Sequence, residues 1–166
     1  EDTLSLHDAL PICHEVAEID PQDEDWVEKL KAFKADKVIN VLHGAWGEDG
    51  RVQGVLDYLR IPYSHSGVLA SALAMDKNKT KAVLAGYGIP LAHGKLMDRR
   101  EAAKAHPMAP PYVVKPNAQG SSVGVFIVRE GANRPPEQLL DPDWSYGEDV
   151  LVEEFIGGSE YTVAVL

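Results

Sequence analysis

Lys37-Val38-Ile39-Asn40-Val41-Leu42-His43-Gly44-Ala45-Trp46-Gly47-Glu48-Asp49-Gly50 changes character halfway along. The part up to Leu42 is mostly β-branched and apolar, the composition of a strand covered on both faces. The part from His43 is rich in Gly and acid, and after it Val52, Val55, Leu56 and Leu59 recur at helical spacing up to Ile61-Pro62-Tyr63. Strand, loop, helix and strand in that order predict an α/β unit, a design that binds ligands at the carboxyl ends of its strands. The loop glycines bring backbone close to a ligand, the helix start adds unpaired N–H donors, and His43 can donate or accept near neutral pH. The same residues read equally as a Gly/Asp-rich turn with Asp49 capping the helix.

Upstream, Trp26, Val27, Leu30 and Phe33 share a face and predict a helix over 23–33, while Cys13 to Asp20 alternates like a strand. Residues 1–12, EDTLSLHDALPI, have no period and read as unplaced and foreign to the rest of the chain. Downstream, Ser71 to Ala85 predicts one long helix ended by Gly86 and Gly88. Pro90 to Met97 predicts a strand, Arg99 to His106 a short helix stopped by Pro107, and 107–111 a connector. Tyr112 to Lys115 and Val123 to Val128 predict two strands joined by the loop 116–122, then a looser stretch over 130–149. Val150 to Ile156 and Glu160 to Leu166 predict strands around Gly157-Gly158-Ser159. The chain stops inside that last apolar run, so a truncated chain is the expectation.

Two further segments carry chemistry. Lys115 at a strand end, followed by Gln119-Gly120-Ser121-Ser122-Val123-Gly124, suits a triphosphate: the ammonium meets charge while backbone N–H and hydroxyl groups meet oxygens. It is not a Walker P-loop, because the order of Gly and Lys is wrong and a strand follows where a helix should. A mobile loop with a surface lysine fits the same residues, and Lys77, Lys79 and Lys81 fit the solvated face of a helix. In Glu153-Glu154-Phe155-Ile156, an acid beside apolar residues suits adenosine, although an acidic edge strand has the same composition.

Composition narrows the rest. The 166 residues are 45% hydrophobic, enough for a core, and carry a formal net charge of -10, which argues against nucleic acid as a partner. No apolar run approaches the roughly 20 residues that cross a bilayer, so membrane partners are not expected and the location expected is cytoplasmic. The single cysteine, Cys13, and the absence of zinc-site spacing leave no metal site to assign.

Taken in series, VLHGAWGEDGRVQGVLDYLRIPYSHSGVLASALAMDKNKTK, YVVKPNAQGSSVGV and VLVEEFIGGSEYTVAVL resemble the D-alanine–D-alanine ligases over about residues 13–166. The fold that this implies is α/β: a partial Rossmann-like pre-ATP-grasp domain over 13–70, a central ATP-grasp lobe over 71–150, and the start of the ATP-grasp C-terminal lobe over 151–166, truncated. The resemblance assigns Lys77 and Lys115 to ATP, with Ser122 and its loop closing over the phosphates. It gives Glu153 the adenine amino group, Glu154 and Ile156 backbone contacts at the hinge, and Glu160 the ribose. Ser121 becomes a substrate-side residue and His43 a neighbour of the first D-alanine. On this reading Lys77, Lys115, Ser122 and Glu160 converge on one cleft.

The implied reaction joins two D-alanines for peptidoglycan precursor synthesis. One carboxylate takes the γ-phosphoryl group of ATP, and the second amino group displaces phosphate from the acyl phosphate. Mg²⁺ or Mn²⁺ is the implied metal, with its ligands and a catalytic Arg expected beyond Leu166, and the full-length enzyme is expected to be a homodimer. There are departures: the Glu-bearing loop expected before Cys13 is replaced by EDTLSLHDALPI, Gln119 stands where Glu is common, and Glu154 where Lys is frequent. The isolated chain is therefore expected to be inactive. The alternatives are a related ligase using D-lactate or D-serine as second substrate, and a non-catalytic nucleotide-binding remnant.

Overall fold

The computed structural model describes residues 14–120 and 122–163. They fall into two units, Glu1–Asn40 with Val55–His65, and Val41–Gly54 with Ser66–Leu166. Residues 1–12, Cys13, Ser121 and the end of the run expected as a strand over Glu160 to Leu166 lie outside the described residues, and Glu160 to Val163 are irregular.

In the first unit, α1 (Trp26–Phe33) buries Leu30 and ends on Lys34 in the left-handed conformation, φ 54°. Lys29 pairs with Asp23 at 2.8 Å and Asp25 at 2.9 Å, placing acid at the helix start where the macrodipole favours it. Two sequence expectations fail in this unit. His14 to Asp20 is irregular, and the segment expected as a buried strand forms a single parallel bridge between Val38 and Tyr63. Ile39 is 46% exposed. A β-branched run becomes a strand only when neighbouring backbone pairs along its length, and here the ladder is one bridge, made by Val38 N–H to Pro62 O and Ser64 N–H to Val38 O, with Asn40 N–H donating to Ser64 Oγ beside it. The division between units falls inside α2 (Arg51–Leu59), between Gly54 and Val55.

The second unit is built on a four-stranded antiparallel sheet in the order β1-β4-β2-β3, with β1 Gly94–Asp98, β2 Tyr112–Pro116, β3 Phe126–Val128 and β4 Asp149–Glu154. Alternation along β2 decides which residues meet which layer. Tyr112 and Val114 face a core shared with Val150 and Val152 of β4, Ala102 of the helix α5 (Arg99–Lys104) and Leu139 of the 3-10 helix Glu137–Leu140. Val113 and Lys115 take the opposite face.

Capping and buried hydrogen bonds set the connections. Asp98 caps α5 by accepting from Arg100 N–H at 2.8 Å and Glu101 N–H at 3.2 Å. Arg99 is buried, and its guanidinium donates to Leu139 O at 2.5 Å and pairs with Glu148 at 3.2 Å. The α5 helix ends at Lys104, because Pro107 turns the residue before it away from helical geometry. The second strand of the Lys115 segment is shorter than its sequence suggests, starting at Phe126. Gly124 has φ +68°, and a Cβ there would meet Pro116 Cγ at 2.9 Å, so the chain turns against the end of β2 before pairing begins.

The long helix expected over 71–85 is two helices, α3 (Val68–Met75) and α4 (Lys77–Gly86). Asp76 lies between them in extended geometry, φ -88° and ψ 99°, and its carboxylate accepts from Lys79 N–H at 3.0 Å. An Asp that caps its own downstream turn competes with continuous helix, and here the cap wins.

Candidate functional site

The site grows from the face of β2 that carries Lys115. In the β2–β4 register Val113 lies opposite Glu153 and Lys115 opposite Leu151, so Lys115 and Glu153 are diagonal neighbours on one face of the sheet. Their side chains form an ion pair. The second oxygen of Glu153 accepts from Lys81 Nζ of α4 at 2.7 Å. Lys77, one turn earlier on that helix, donates to Gln119 O at 2.5 Å and lies within electrostatic reach of Lys115 and Glu153.

Asn117 locks this helix against the loop after β2. Its Oδ1 accepts from Asn78 N–H at 2.9 Å, its Nδ2 donates to Asp76 Oδ1 at 3.0 Å, and its backbone carbonyl accepts from Lys77 N–H at 3.0 Å. The helix start is thereby tied to the chain that follows Lys115. Burial alone would push the Asp76 carboxyl up, but the Lys79 backbone and side chain and the Asn117 amide hold it at about 2.

The electrostatics of the cluster follow from its crowding. Burial lowers the Lys77 ammonium below the usual lysine range, and the neighbouring Lys115 charge lowers it further against the pull of Glu153 and Asp76. Burial would raise Glu153, yet the Lys115 and Lys81 ammonium groups outweigh it and hold the carboxyl below its ordinary range. Lys81 and Lys115 share the Glu153 carboxylate and Lys77 lies within electrostatic reach of it, so half-buried ammonium groups outnumber that carboxylate and the place suits an anion.

The His43 to Gly50 loop approaches from another side. Glu48 Oε2 accepts from Gly44 N–H at 2.6 Å, and a Cβ at Gly120 would come within 3.0 Å of the same oxygen. The Glu48 carboxylate thus lies against the Gln119–Gly120 backbone. Asp49 accepts from Trp46 N–H at 2.9 Å and Arg51 N–H at 3.2 Å, so the loop is also a capped turn. His43 is exposed at its start.

The structure gathers Lys77, Lys115 and Glu153. Glu154 points to the neighbouring backbone, where its carboxylate accepts from His93 N–H at 2.8 Å. Ile156 and Glu160 lie in exposed irregular chain after β4, and Ser122 is exposed with φ 57°. Ser122 lines a separate cavity of about 300 Å³ with Phe126, Asp141, Trp144 and Tyr146. Ser121 lies outside the described residues. Sequence reading missed Asn117, Glu48 and the difference between Lys79 and Lys81. Helical spacing held the signal for the last, since Lys77 and Lys81 are four apart and share a face, whereas Lys79 does not. Among the described residues no group of three or more His, Cys, Asp or Glu side chains is gathered for a metal, and no helix is long and apolar enough to cross a membrane.

Comparison with known proteins matches this arrangement to one family. A family model for the D-ala D-ala ligase N-terminus matches residues 7–66, and one for the D-ala D-ala ligase C-terminus matches residues 85–166. A curated D-alanine–D-alanine ligase of Caulobacter vibrioides is 60% identical over 151 residues, covering 91% of this chain and 46% of that protein. A D-alanine–D-alanine ligase from Bacillus anthracis solved in complex with ATP has a TM-score of 0.60 at 35% identity, over 81% of this chain and 43% of that one. The VanG D-Ala:D-Ser ligase of Enterococcus faecalis has a TM-score of 0.58 at 31% identity, over 75% and 37%. The chain spans about half the length of the curated relatives it matches. With its α/β fold, its antiparallel sheet and its ordered series of motifs, the chain belongs to the D-alanine–D-alanine ligase family.

Proposed function

We propose that this chain is part of an ATP-dependent ligase that joins two D-alanines through an acyl phosphate for peptidoglycan precursor synthesis. The observation that carries the reading is the Lys77, Lys81, Lys115 and Glu153 cluster beside the Gln119–Gly120 backbone. A triphosphate fits that donor set, because half-buried ammonium groups outnumber the carboxylate they share. Bound ATP supplies the γ-phosphoryl group that activates a carboxylate, with Mg²⁺ or Mn²⁺ offsetting charge on the phosphates.

The residues of this chain do the holding. Lys115 turns from Glu153 toward phosphate, Lys77 keeps its place against Gln119 O while meeting a second phosphate oxygen, and the loop that carries Ser122 would close over them on binding to exclude water. Glu153 and Glu154 with Ile156 hold the adenine, Glu160 the ribose, and His43 and Ser121 face the D-alanine side. The same reading divides the chain into a partial pre-ATP-grasp domain at 13–70, a central lobe at 71–150 and the start of the C-terminal lobe at 151–166. It places the whole enzyme in the cytoplasm as a homodimer with no nucleic-acid or membrane partner.

A D-serine or D-lactate second substrate is the competing reading, and the likeness to a D-Ala:D-Ser ligase keeps it open. Two measurements test the proposal. Calorimetry of ATP binding to the chain should show Lys115→Ala weaker by roughly tenfold, the effect of losing one charge-assisted contact; equal affinity overturns the ATP site. In the full-length enzyme, phosphate release and dipeptide formation are followed with D-alanine alone and with D-serine or D-lactate added. D-alanyl-D-alanine as the main product supports the first reading, and a mixed product supports the second.

A further inference from the structure

We propose that Lys81 is a positioning residue of the nucleotide site, holding one oxygen of Glu153 so that Lys115 shares only the other and is free to turn to phosphate. The inference rests on the ATP reading of the lysine cluster. Lys81 Nζ donates to Glu153 Oε2 at 2.7 Å and to Ala92 O at 2.5 Å, while Lys115 pairs with Glu153 Oε1. The Lys81 side chain is 21% exposed, against 70% for Lys79 two residues earlier, so these neighbours belong to different environments. Lys79 is the surface lysine of the helix and pairs with Asp76 at 2.9 Å.

A carboxylate has two oxygens and can grip one ammonium with both. Lys81 prevents this by occupying Oε2 from the helix side, and its second bond to Ala92 O keeps it from following the carboxylate. Glu153 is then anchored between helix and sheet, and its hold on Lys115 is single. Without the Lys81 charge, both oxygens of Glu153 become available to Lys115. That firmer hold on Lys115 weakens binding of phosphate oxygens.

The test uses the chain with ATP and, separately, inorganic triphosphate as probes, measured by calorimetry. Lys81→Gln removes the charge but keeps a donor for Ala92 O, and Lys81→Arg keeps the charge. Lys81→Gln is expected to weaken inorganic triphosphate and ATP alike by roughly tenfold, and Lys81→Arg to stay within about twofold of the parent. In a Glu153→Gln background the loss from Lys81→Gln should shrink to about twofold, because the partner through which Lys81 acts is gone. Thermal unfolding of each variant identifies the folded proteins, and Lys81→Arg decides the charge requirement if Lys81→Gln does not fold. Parental affinity in Lys81→Gln, a tenfold loss in folded Lys81→Arg, or an undiminished loss in the Glu153→Gln background overturns the proposal. If Lys115→Ala also binds triphosphate as the parent does, the ATP reading itself fails and takes this inference with it.

Discussion

Lys115 and Glu153, diagonal neighbours on the β2 and β4 strands, form an ion pair on the sheet face turned away from the hydrophobic core. Glu153 is buried and Lys115 half-buried, and Lys81 joins them from α4. Glu153→Gln leaves two ammonium groups without their carboxylate and should destabilise the fold by about 3 kcal/mol near neutral pH. The sign of its pH dependence follows from the lowered Glu153 carboxyl. A depressed folded-state value contributes stability above the unfolded value of 4.5, and that contribution is lost as pH falls through the folded value. Melting temperatures of parent and variant should therefore be well separated at neutral pH and converge below pH 4.5. A gap that widens on acidification contradicts the pairing.

Asn117 is 7% exposed and ties α4 to the loop after β2 through its amide. Asn117→Ala strands the Asn78 N–H and removes one of the two donors to Asp76 Oδ1, a loss of roughly 1 to 3 kcal/mol. Urea unfolding should show a lower midpoint with an unchanged slope. Because Lys77 also donates its backbone N–H to Asn117 O, weaker ATP binding should accompany the loss.

Gly94 faces Glu153 across β1 and β4, and a Cβ there would come 2.6 Å from both Glu153 Cβ and Val152 O. Neither is the far end of a flexible side chain, so Gly94→Ala must push the strands apart. The expected cost is about 1 to 3 kcal/mol, with faster amide exchange along β1. Unchanged exchange at Lys95 to Met97 contradicts the close approach.

Leu139, fully buried on the 3-10 helix, packs against Tyr112, Val114 and Ala102 on the core side of the sheet. Leu139→Ala should cost about 2 to 5 kcal/mol through lost burial and a residual cavity. Since the lysine cluster lies on the other face, ATP affinity of the folded fraction should stay near the parent value. A matched loss of affinity would mean that the two faces are coupled.

The sequence by itself determined the local features and the family. Tyr112 to Lys115 read as a strand, Asp49 and the flanking glycines marked a turn, and the ordered motifs pointed to one family and to Lys77, Lys115 and Glu153 among the residues of interest. These signals are local, because strand period, capping and turn chemistry act within a few residues. Tertiary structure alone decided the rest. Asp76 breaks a helix that composition favoured by capping Lys79 N–H, and only the fold brings Asn117 of a distant loop to fix that carboxylate. Helical spacing sets Lys81 apart from Lys79, but only the fold brings Lys81 to Glu153, 72 residues away, and leaves Lys79 mostly exposed beside Asp76. The β-branched run at Lys37 to Leu42 had the composition of a buried strand, yet among the described residues its β-pairing is the single bridge between Val38 and Tyr63. Which side chains meet depends on sheet register and on which helix lies over the sheet, and both arise from pairing between segments far apart in the chain.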